Sequence, residues 1–456
     1  MSSDVDAALS AVEDALRNNA RRHANGRDRK AEDGDGPTAD DVSAPADLTA
    51  ADERAVAVAA LDGWLEDTIA QRLRSHSDMS EKDVGALRRA VLARLFDLGE
   101  LQPLLDDDEI ETIHVNGAGR VFVRDAEGRT RRIDALVDGD DEQLLALVRR
   151  LAAHEGLGER RWDTGAPALN LTLRDGSRLH GLMAVTRRPC LTIRRHRLLD
   201  VDLDGLVELG TIPRGVARLL AAAIQVGQSI VVAGGPGAGK SSTVRGLASA
   251  IPPARRIVTI EDTLELHLDL DEERHPDCVA IETRPANIEG RGEITVTATL
   301  REALRMDPDV LIVGEVRIDE TVPMLLALAA GNIAGSLSTV HAFSSAQALE
   351  QLQTYAMVGP DRMPGESSAR LIGSALDWVV HIERRADSRR GARRVITSVR
   401  EVCGSQGIHV RSNEVFRHDR DGHVDVHAGV SDETRERLLQ ADYHVSELEE
   451  AGRFVG

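Results

Sequence analysis

The sequence of 456 residues is poor in aromatic residues and in cysteine, and both shortages count against whole classes of function. Aromatic residues make up 2% of the chain, too few for a platform on which nucleic-acid bases stack. The three cysteines, Cys190, Cys278 and Cys403, show neither a CxxC spacing nor another metal-ligand spacing. We therefore expect no disulfide and no structural zinc site, as suits a reducing cytoplasm.

The sequence also lacks long apolar runs and an excess of positive charge. No stretch reaches the roughly 18 apolar residues that a membrane-spanning helix requires, and the first residues do not follow the pattern of a signal peptide. The formal net charge of −20 argues against a surface built to neutralise nucleic-acid phosphates. We therefore expect a cytoplasmic protein that does not bind nucleic acid directly.

Lysine is rare as well, since only three of the 56 cationic residues are lysines, and one of them lies in a glycine-rich loop. This loop fits the pattern G-x-x-x-x-G-K-[ST], with an apolar run before it and a helical pattern after it. Backbone N–H groups of such a loop surround phosphates, the lysine ammonium fits beneath them, and the hydroxyl ligates Mg²⁺. We predict that ATP with Mg²⁺ binds here, through Gly234, Gly235, Pro236, Gly237, Ala238, Gly239, Lys240, Ser241 and Ser242.

Acidic residues follow two further apolar runs and are candidates for the remaining chemistry. Glu315 ends the run that starts at Val310, and a carboxylate there predicts a general base that activates water. Glycine precedes Glu315 at the place where many ATPases have a metal-directed aspartate. We therefore expect Ser241 to hold Mg²⁺ together with carboxylates that follow the strand at 256–260. These carboxylates are Glu261, Asp262 and Glu265, of which Asp262 and Glu265 are the predicted metal-site residues.

Composition and periodicity divide the chain into five segments. Residues 1–50 are rich in Asp, Ala, Gly and Ser, which predicts a disordered acidic segment. Two amphipathic patterns predict a helical extension over 51–100, the second of them capped by Ser80. Alternating runs around one helix predict an α+β domain over 101–198. Buried runs that alternate with helices predict a mainly parallel α/β domain over 199–430, ending in antiparallel strands, before a tail at 431–456.

Six motifs occur together and in order, at residues 234–241, 259–265, 284–293, 304–309, 314–317 and 335–342. As a set they resemble the type II/IV secretion ATPase superfamily, and the resemblance covers roughly residues 100 to 430. Two runs, Arg284-Pro285-Ala286-Asn287-Ile288-Glu289-Gly290-Arg291-Gly292-Glu293 and the early Ile113-His114-Val115-Asn116-Gly117, resemble the CpaF-like branch of this superfamily. That branch powers tight-adherence pili and related secretion systems.

The resemblance implies a RecA-like P-loop NTPase domain preceded by an α+β N-terminal domain, in a homo-hexamer that hydrolyses ATP. It implies work on pilus assembly or protein secretion with inner-membrane platform proteins, and thus a peripheral place at the inner face of the cytoplasmic membrane. Two N-terminal-domain arginines would approach the γ-phosphate, and a histidine would sense it. One departure is Ile333, where a second histidine is common. The implied catalytic set is Glu315, Glu265, Lys240, Arg178, Arg194 and His341.

The phosphate loop is compatible with other functions. The same core could serve a conjugation or DNA-export ATPase, which DNA-stimulated turnover would favour and the acidic charge disfavours. A monomeric P-loop kinase would need a lid and an acceptor pocket. A nucleotide switch that binds ATP without hydrolysing it would not need Glu315.

Overall fold

The chain forms two compact units in the computed structural model. The structure describes residues 2–32, 50–74, 79–133, 141–154, 162–173, 175–195, 201–284, 286, 290–331, 333–387, 391–419, 424–426 and 429–444. The second unit includes two short loops, 126–129 and 174–176, and everything from His196 onward. The main break, after Arg195, lies close to the predicted domain boundary at residue 198. The first unit comprises Met1–Asp125, Thr130–Leu173 and Ser177–Arg195.

Five α-helices lie in the described part of the first unit. The second and third match the predicted helical pair, and the third begins where the sequence places its cap. The Asp83 N–H donates to Ser80 Oγ at 3.2 Å, which satisfies one of the N–H groups that a helix start leaves unpaired. The five are α1 (Ser2–Glu32), α2 (Ala50–Arg74), α3 (Glu81–Phe96), α4 (Gln102–Leu105) and α5 (Asp141–His154).

The prediction of disorder over residues 1–50 is wrong for residues 2–32, which form α1. Val5, Ala8 and Val12 recur at helical spacing and are buried in one apolar cluster with Leu61 of α2 and Val91 of α3. Acidic and small residues dominate the average composition of the segment, which concealed this narrow apolar stripe. Residues 33–49, which hold most of the low-complexity stretch, lie outside the described residues.

A six-stranded antiparallel sheet forms the rest of the first unit, with strand order β3-β2-β1-β6-β5-β4. Alternate side chains of its strands, such as Ile113 and Val115, are buried, and α5 covers them with Leu144 and Val148. The predicted β-meander and the α+β class are therefore confirmed. The strands are β1 (Ile110–Asn116), β2 (Val121–Asp125), β3 (Thr130–Ile133), β4 (Ala168–Thr172), β5 (Arg178–Leu182) and β6 (Cys190–Arg194).

The second unit is built on a nine-stranded sheet with the order β15-β14-β13-β12-β7-β11-β10-β8-β9. The six strands from β12 to β9 in this order are parallel, and the other three extend the sheet antiparallel. This is the predicted mainly parallel sheet with an antiparallel addition. The strands are β7 (Ile230–Ala233), β8 (Ile257–Glu261), β9 (Cys278–Glu282), β10 (Val310–Val313), β11 (Ser336–Val340), β12 (Trp378–Asp387), β13 (Gly391–Gln406), β14 (His409–His418) and β15 (Val424–Val426).

Helices cover both faces of this sheet, which explains why its central strands β7, β10 and β11 are buried at every position rather than at alternate ones. Ile230 and Val232 of β7 point into one apolar core, formed with α6, α7, α8 and α13. Val231 and Ala233 point into the other core, formed with α9 to α12. The helices are α6 (Leu203–Glu208), α7 (Arg214–Gln225), α8 (Lys240–Ala248), α9 (Val296–Ala303), α10 (Ile318–Ala329), α11 (Ser345–Val358), α12 (Gly365–Ala375) and α13 (Asp432–Leu439).

The predicted tail at 431–456 is wrong for its first part, because α13 belongs to the core of the second unit. Leu438 is fully buried and Tyr443 is nearly so, and the Tyr443 hydroxyl lies 3.4 Å from the carbonyl oxygen of Gly215. The helix is mostly polar, with only two buried residues, so its periodic signal is weak. Residues 445–456 lie outside the described residues. Among the described helices, none is both long and apolar enough to cross a membrane.

Candidate nucleotide site

The glycine-rich loop joins β7 to α8, so it lies at the carboxyl end of a central parallel strand and at a helix N-terminus. Gly237 and Gly239 have φ angles of 69° and 101°, a conformation that side-chain-bearing residues rarely adopt. A Cβ atom on Gly234 would lie 2.6 Å from the carbonyl oxygen of Ile382, so this residue too must be glycine. The tight loop and the helix N-terminus together provide the N–H groups that bind an anion.

Lys240 folds back over the loop from the first position of α8. Its Nζ lies 3.2 Å from the carbonyl oxygen of Gly234 and 3.4 Å from that of Gly235. The same Nζ lies 3.1 Å from Nδ1 of His341. The ammonium group is therefore held at the mouth of the loop, where it can reach bound phosphates.

His341 connects the loop to the next part of the site. It follows β11, which pairs with β7 so that Val340 is opposite Ala233, and this register places His341 beside Gly234. Its Nε2 lies 2.8 Å from Oε1 of Glu315. Nδ1 of His341 lies 3.1 Å from Lys240 Nζ and 3.3 Å from the Gly234 carbonyl oxygen, so the imidazole ring bridges the phosphate loop and Glu315.

Glu315 is held from two sides. Its Oε1 meets His341, and its Oε2 accepts a hydrogen bond from Arg317 at 2.7 Å. It comes after β10, the strand next to β11, and the hydroxyl of Thr339 on β11 donates to the Gly314 carbonyl oxygen at 2.7 Å. The predicted general base is therefore fixed at the same sheet edge as the phosphate loop.

The fourth strand end of this edge belongs to β8, whose register with β10 puts Ile260 opposite Val313. Asp262 follows β8, and its Oδ2 lies 2.8 Å from Arg317. Its Oδ1 accepts a hydrogen bond from the Thr283 hydroxyl at 3.2 Å. Both oxygens of Asp262 thus have protein partners.

Ser241 and Glu265 form a separate pair of oxygen donors, since the Ser241 hydroxyl donates to Glu265 Oε2 at 2.6 Å. A hydroxyl beside a carboxylate is a suitable donor set for Mg²⁺. Glu261 stays beneath them and is nearly fully buried, where the N–H groups of Glu265 and Leu266 donate to its Oε2 at 2.9 and 3.1 Å. Burial raises the pKa of Glu261 to about 7, against the opposite effect of these two hydrogen bonds.

The contacts follow the strand order along the sheet edge. From β7 through β11 and β10 to β8, the line runs Lys240, His341, Glu315, Arg317 and Asp262. In parallel sheets, ligands bind at the carboxyl ends of the strands. The anion-binding loop and the Lys240 ammonium suit a phosphate-bearing ligand. The carboxylate of Glu315 beside them can accept a proton.

Comparison with known proteins identifies the family of this chain. A family model described as type II/IV secretion system protein matches residues 95–451. The chain belongs to the type II/IV secretion system protein family.

Individual members of the family extend over most of this chain. A protein of Mycobacterium tuberculosis whose name provisionally assigns it to conjugal transfer is 32% identical over 370 residues, which cover 79% of this chain and 99% of the relative. The type IV secretion system protein PtlH of Bordetella pertussis is 31% identical over 330 residues, covering 67% of this chain and 94% of PtlH. The solved structure of the VirB11 ATPase from the Brucella suis type IV secretion system is 26% identical, covers 66% of this chain and 95% of that one, and has a TM-score of 0.34.

The two arginines of the first unit lie side by side. Arg178 on β5 is directly opposite Arg194 on β6 in the antiparallel register, and Arg194 is also opposite Thr112 on β1. The structure therefore places side by side the two arginines that the resemblance to secretion ATPases implies for the catalytic set. Ile333, the departure from that resemblance, is half-buried and packs against the core formed with α9 to α12. An apolar side chain at this place contributes to packing.

Two further arginines of this chain lie at the site, although no sequence pattern indicates a role for them. Arg317 is one of them and belongs to the same motif as Glu315. Arg394 on β13 lies against the phosphate loop, with its Nε 3.4 Å from the Gly237 carbonyl oxygen. A Cβ on Gly239 would lie 2.9 Å from Cδ of Arg394. The second contact depends on the antiparallel extension of the sheet, and no local pattern around Arg394 indicates it.

Proposed function

We propose that this chain is an ATP-hydrolysing motor of the CpaF-like type that assembles as a homo-hexamer and powers pilus assembly or protein secretion. The observation that carries the proposal is the line of contacts from Lys240 through His341 to Glu315. It joins the residue that would hold the phosphates to the carboxylate that would activate water. A site that only binds nucleotide does not need a carboxylate that activates water.

In the proposed reaction the loop from Gly234 to Ser242 and the ammonium of Lys240 hold the phosphates of ATP. Glu315 accepts a proton from a water molecule while the oxygen atom of that water bonds to the γ-phosphorus. The bond from the γ-phosphorus to the bridging oxygen breaks, ADP leaves with that oxygen, and Glu315 then releases its proton to solvent. General-base catalysis of this kind contributes about 10²–10⁴-fold.

The charge on the phosphates requires cations. Mg²⁺ bound with ATP would neutralise part of this charge, and Ser241 and Glu265 are the residues that would hold it. Asp262 stays a metal candidate only through water, since both its oxygens have protein partners. His341 would sense the γ-phosphate through Lys240. Its Nδ1 contacts the Lys240 ammonium, which a bound phosphate would also attract.

Arg178 and Arg194 would stabilise the negative charge that develops on the γ-phosphate. Their paired position on β5 and β6 puts two cationic side chains next to each other, which suits a shared anionic target. In this role they would act as the arginine fingers of other NTPases do.

The proposal that ATP hydrolysis is converted into mechanical work rests on family membership. We propose inner-membrane platform proteins as partners and a peripheral place at the inner face of the cytoplasmic membrane, where ATP is available. A conjugation or DNA-export ATPase is the second candidate function, favoured by the conjugal-transfer name of the mycobacterial relative. Turnover that DNA stimulates would select this second candidate.

The proposal is tested by comparing ATP binding and ATP turnover in three variants. Glu315→Gln keeps binding and lowers turnover by roughly 10²-fold or more, since it removes the base. Lys240→Ala loses binding and turnover together. Glu350→Gln, an exposed glutamate on α11, is the matched control and keeps wild-type turnover. Turnover that survives in Glu315→Gln would remove Glu315 from the role, and binding without any turnover in wild type would favour a nucleotide switch.

A further inference from the structure

Arg317 joins two carboxylates that come from the ends of neighbouring parallel strands. Its guanidinium lies 2.7 Å from Glu315 Oε2 through one nitrogen and 2.8 Å from Asp262 Oδ2 through the other. Asp262 follows β8 directly and Glu315 comes two residues after β10. A planar guanidinium presents donors in two directions, so one arginine can hold two carboxylates where a lysine cannot do so with fixed geometry.

The backbone of Arg317 is anchored, which fixes the starting point of this side chain. Arg317 is the residue before α10, and its N–H donates to Glu320 Oε2 at 3.2 Å. Its carbonyl oxygen accepts a hydrogen bond from the Thr321 hydroxyl at 2.5 Å. The preceding Val316 is buried in the core formed with α9 to α12. The orientation of the guanidinium therefore depends on its two carboxylate partners.

Asp262 is bound in a way that suits an anchor. Arg317 forms an ion pair with Oδ2 of Asp262, and the Thr283 hydroxyl donates a hydrogen bond to Oδ1. Glu315 is likewise engaged at both oxygens, by Arg317 and by His341. The carboxylate of Glu315 is thus held between two fixed groups, with its plane and rotamer determined by the protein.

We propose that Arg317 and Asp262 are a positioning pair for Glu315. Asp262 orients Arg317, and Arg317 holds Glu315 in the rotamer in which its other oxygen meets His341. The inference rests on the proposed ATPase function and assigns to Asp262 a role different from metal binding. Neither member is a catalytic residue, because the pair acts on the reaction only through Glu315.

The pair is expected to affect the rate of the chemical step and not the binding of nucleotide. The Arg317 guanidinium contacts carboxylates that follow β8 and β10, and nucleotide is held by the loop between β7 and α8. The side chain of Arg317 is 58% exposed, and ion pairs as exposed as this contribute little to stability. A purely structural ion pair would therefore leave kcat unchanged.

The experiment measures kcat, KM and the affinity for a fluorescent ADP analogue in Arg317→Gln, Asp262→Asn and the double variant. We expect each single variant to lower kcat by about 10–100-fold, as a misplaced catalytic group does, with KM and ADP affinity within about twofold of wild type. The double variant falls no further than the worse single variant, since both changes release the same carboxylate. Arg317→Lys recovers part of kcat. Arg370→Gln, which breaks the exposed Arg370–Glu366 pair on α12, is the matched control and keeps the wild-type kcat.

Three outcomes would overturn the inference. They are an unchanged kcat in Arg317→Gln, losses of kcat that multiply in the double variant, and an Asp262→Asn defect that higher Mg²⁺ concentration rescues. The background variant Glu315→Gln separates this inference from the proposed function. If Glu315 is the base, Arg317→Gln adds no further loss in that background. If Glu315→Gln itself retains turnover, the proposed function fails first, whatever Arg317→Gln does.

Discussion

Gly314 lies directly against the buried side chain of Glu261. A Cβ atom on Gly314 would be 3.1 Å from Cγ and 3.5 Å from Cβ of Glu261. The glycine that precedes Glu315, at the place where other ATPases have a metal-directed aspartate, therefore makes room for a carboxylate from the neighbouring strand. Glu261 occupies that volume, with its Oε2 bonded to two backbone N–H groups.

Replacement of Gly314 by alanine is expected to destabilise the second unit. The added methyl group displaces a buried side chain that is held by backbone hydrogen bonds, and overpacking of this kind costs about 1–3 kcal/mol. Urea unfolding measures the loss. Gly365→Ala is the control, because its Cβ would meet only ordinary contacts at 3.7–3.9 Å, and it leaves stability nearly unchanged. Equal stability of the two variants would show that Glu261 moves aside without cost.

Two adjacent leucines of α13 test whether residues after 430 belong to the core. Leu438 is fully buried, whereas Leu439 is 44% exposed. Leu438→Ala is expected to cost about 2–5 kcal/mol, as for other buried leucines. Leu439→Ala is the matched control and changes the free energy of unfolding by less than about 0.5 kcal/mol. A similar small loss in both variants would contradict the assignment of α13 to the core.

Arg394 is expected to contribute to nucleotide binding. Its side chain lies against Gly237 and Gly239 of the phosphate loop, and a cation there adds attraction for phosphates. Arg394→Gln should weaken the binding of ADP by roughly three- to tenfold, measured by titration calorimetry at two salt concentrations. The exposed Arg393, its neighbour on β13, is the control position. Equal affinities of Arg394→Gln and Arg393→Gln would leave Arg394 with a packing role alone.

Two buried histidines of the second unit are expected to lower its stability as the pH decreases through the ordinary pKa of histidine. Glu261, whose pKa burial raises to about 7, contributes with the opposite sign over this range, so the contribution of the histidines is measured as a difference between variants. Burial lowers the pKa of His381 and of His275, although Glu383 acts in the opposite direction on His381. Below pH 6.5 these two histidines bind protons in the unfolded chain and stay neutral in the folded state, so their contribution to the free energy of unfolding decreases as pH falls from about 7 to 5.

The double variant His275→Gln with His381→Gln should lose less stability, relative to its own value at pH 7, than wild type does on going to pH 5. Thermal unfolding at several pH values between 5 and 8 measures both slopes. The same slope in wild type and in the double variant would contradict this prediction.

Sequence patterns located most of the second unit because its strands are short apolar runs and its loops have distinct motifs. The phosphate loop is indicated by its motif, and Glu315 and Glu265 are indicated as carboxylates that follow apolar runs. Arg317 and Asp262 could not be joined from the sequence. Their contact depends on which strands are neighbours, and 54 residues, including two strands, lie between Asp262 and Arg317 along the chain.

Average composition predicts no regular structure near either end of the chain, where the structure has helices α1 and α13. The helix α1 consists mostly of charged and polar residues, and its stripe of Val5, Ala8 and Val12 is narrow. The helix α13 is only eight residues long and is held by Leu438, while the nearby Tyr443 packs into the same core. In both cases tertiary packing of two or three side chains decides the structure, and averages over a window do not detect so few residues.

The central claim is that this chain is an oligomeric motor that hydrolyses ATP through Glu315. The most direct test is steady-state ATPase activity of the purified full-length protein across a size-exclusion profile with light scattering, for wild type and Glu315→Gln. The account predicts activity that follows a six-subunit peak and is lost in the variant. Activity in a monomer peak, or equal activity of the two proteins, would contradict it.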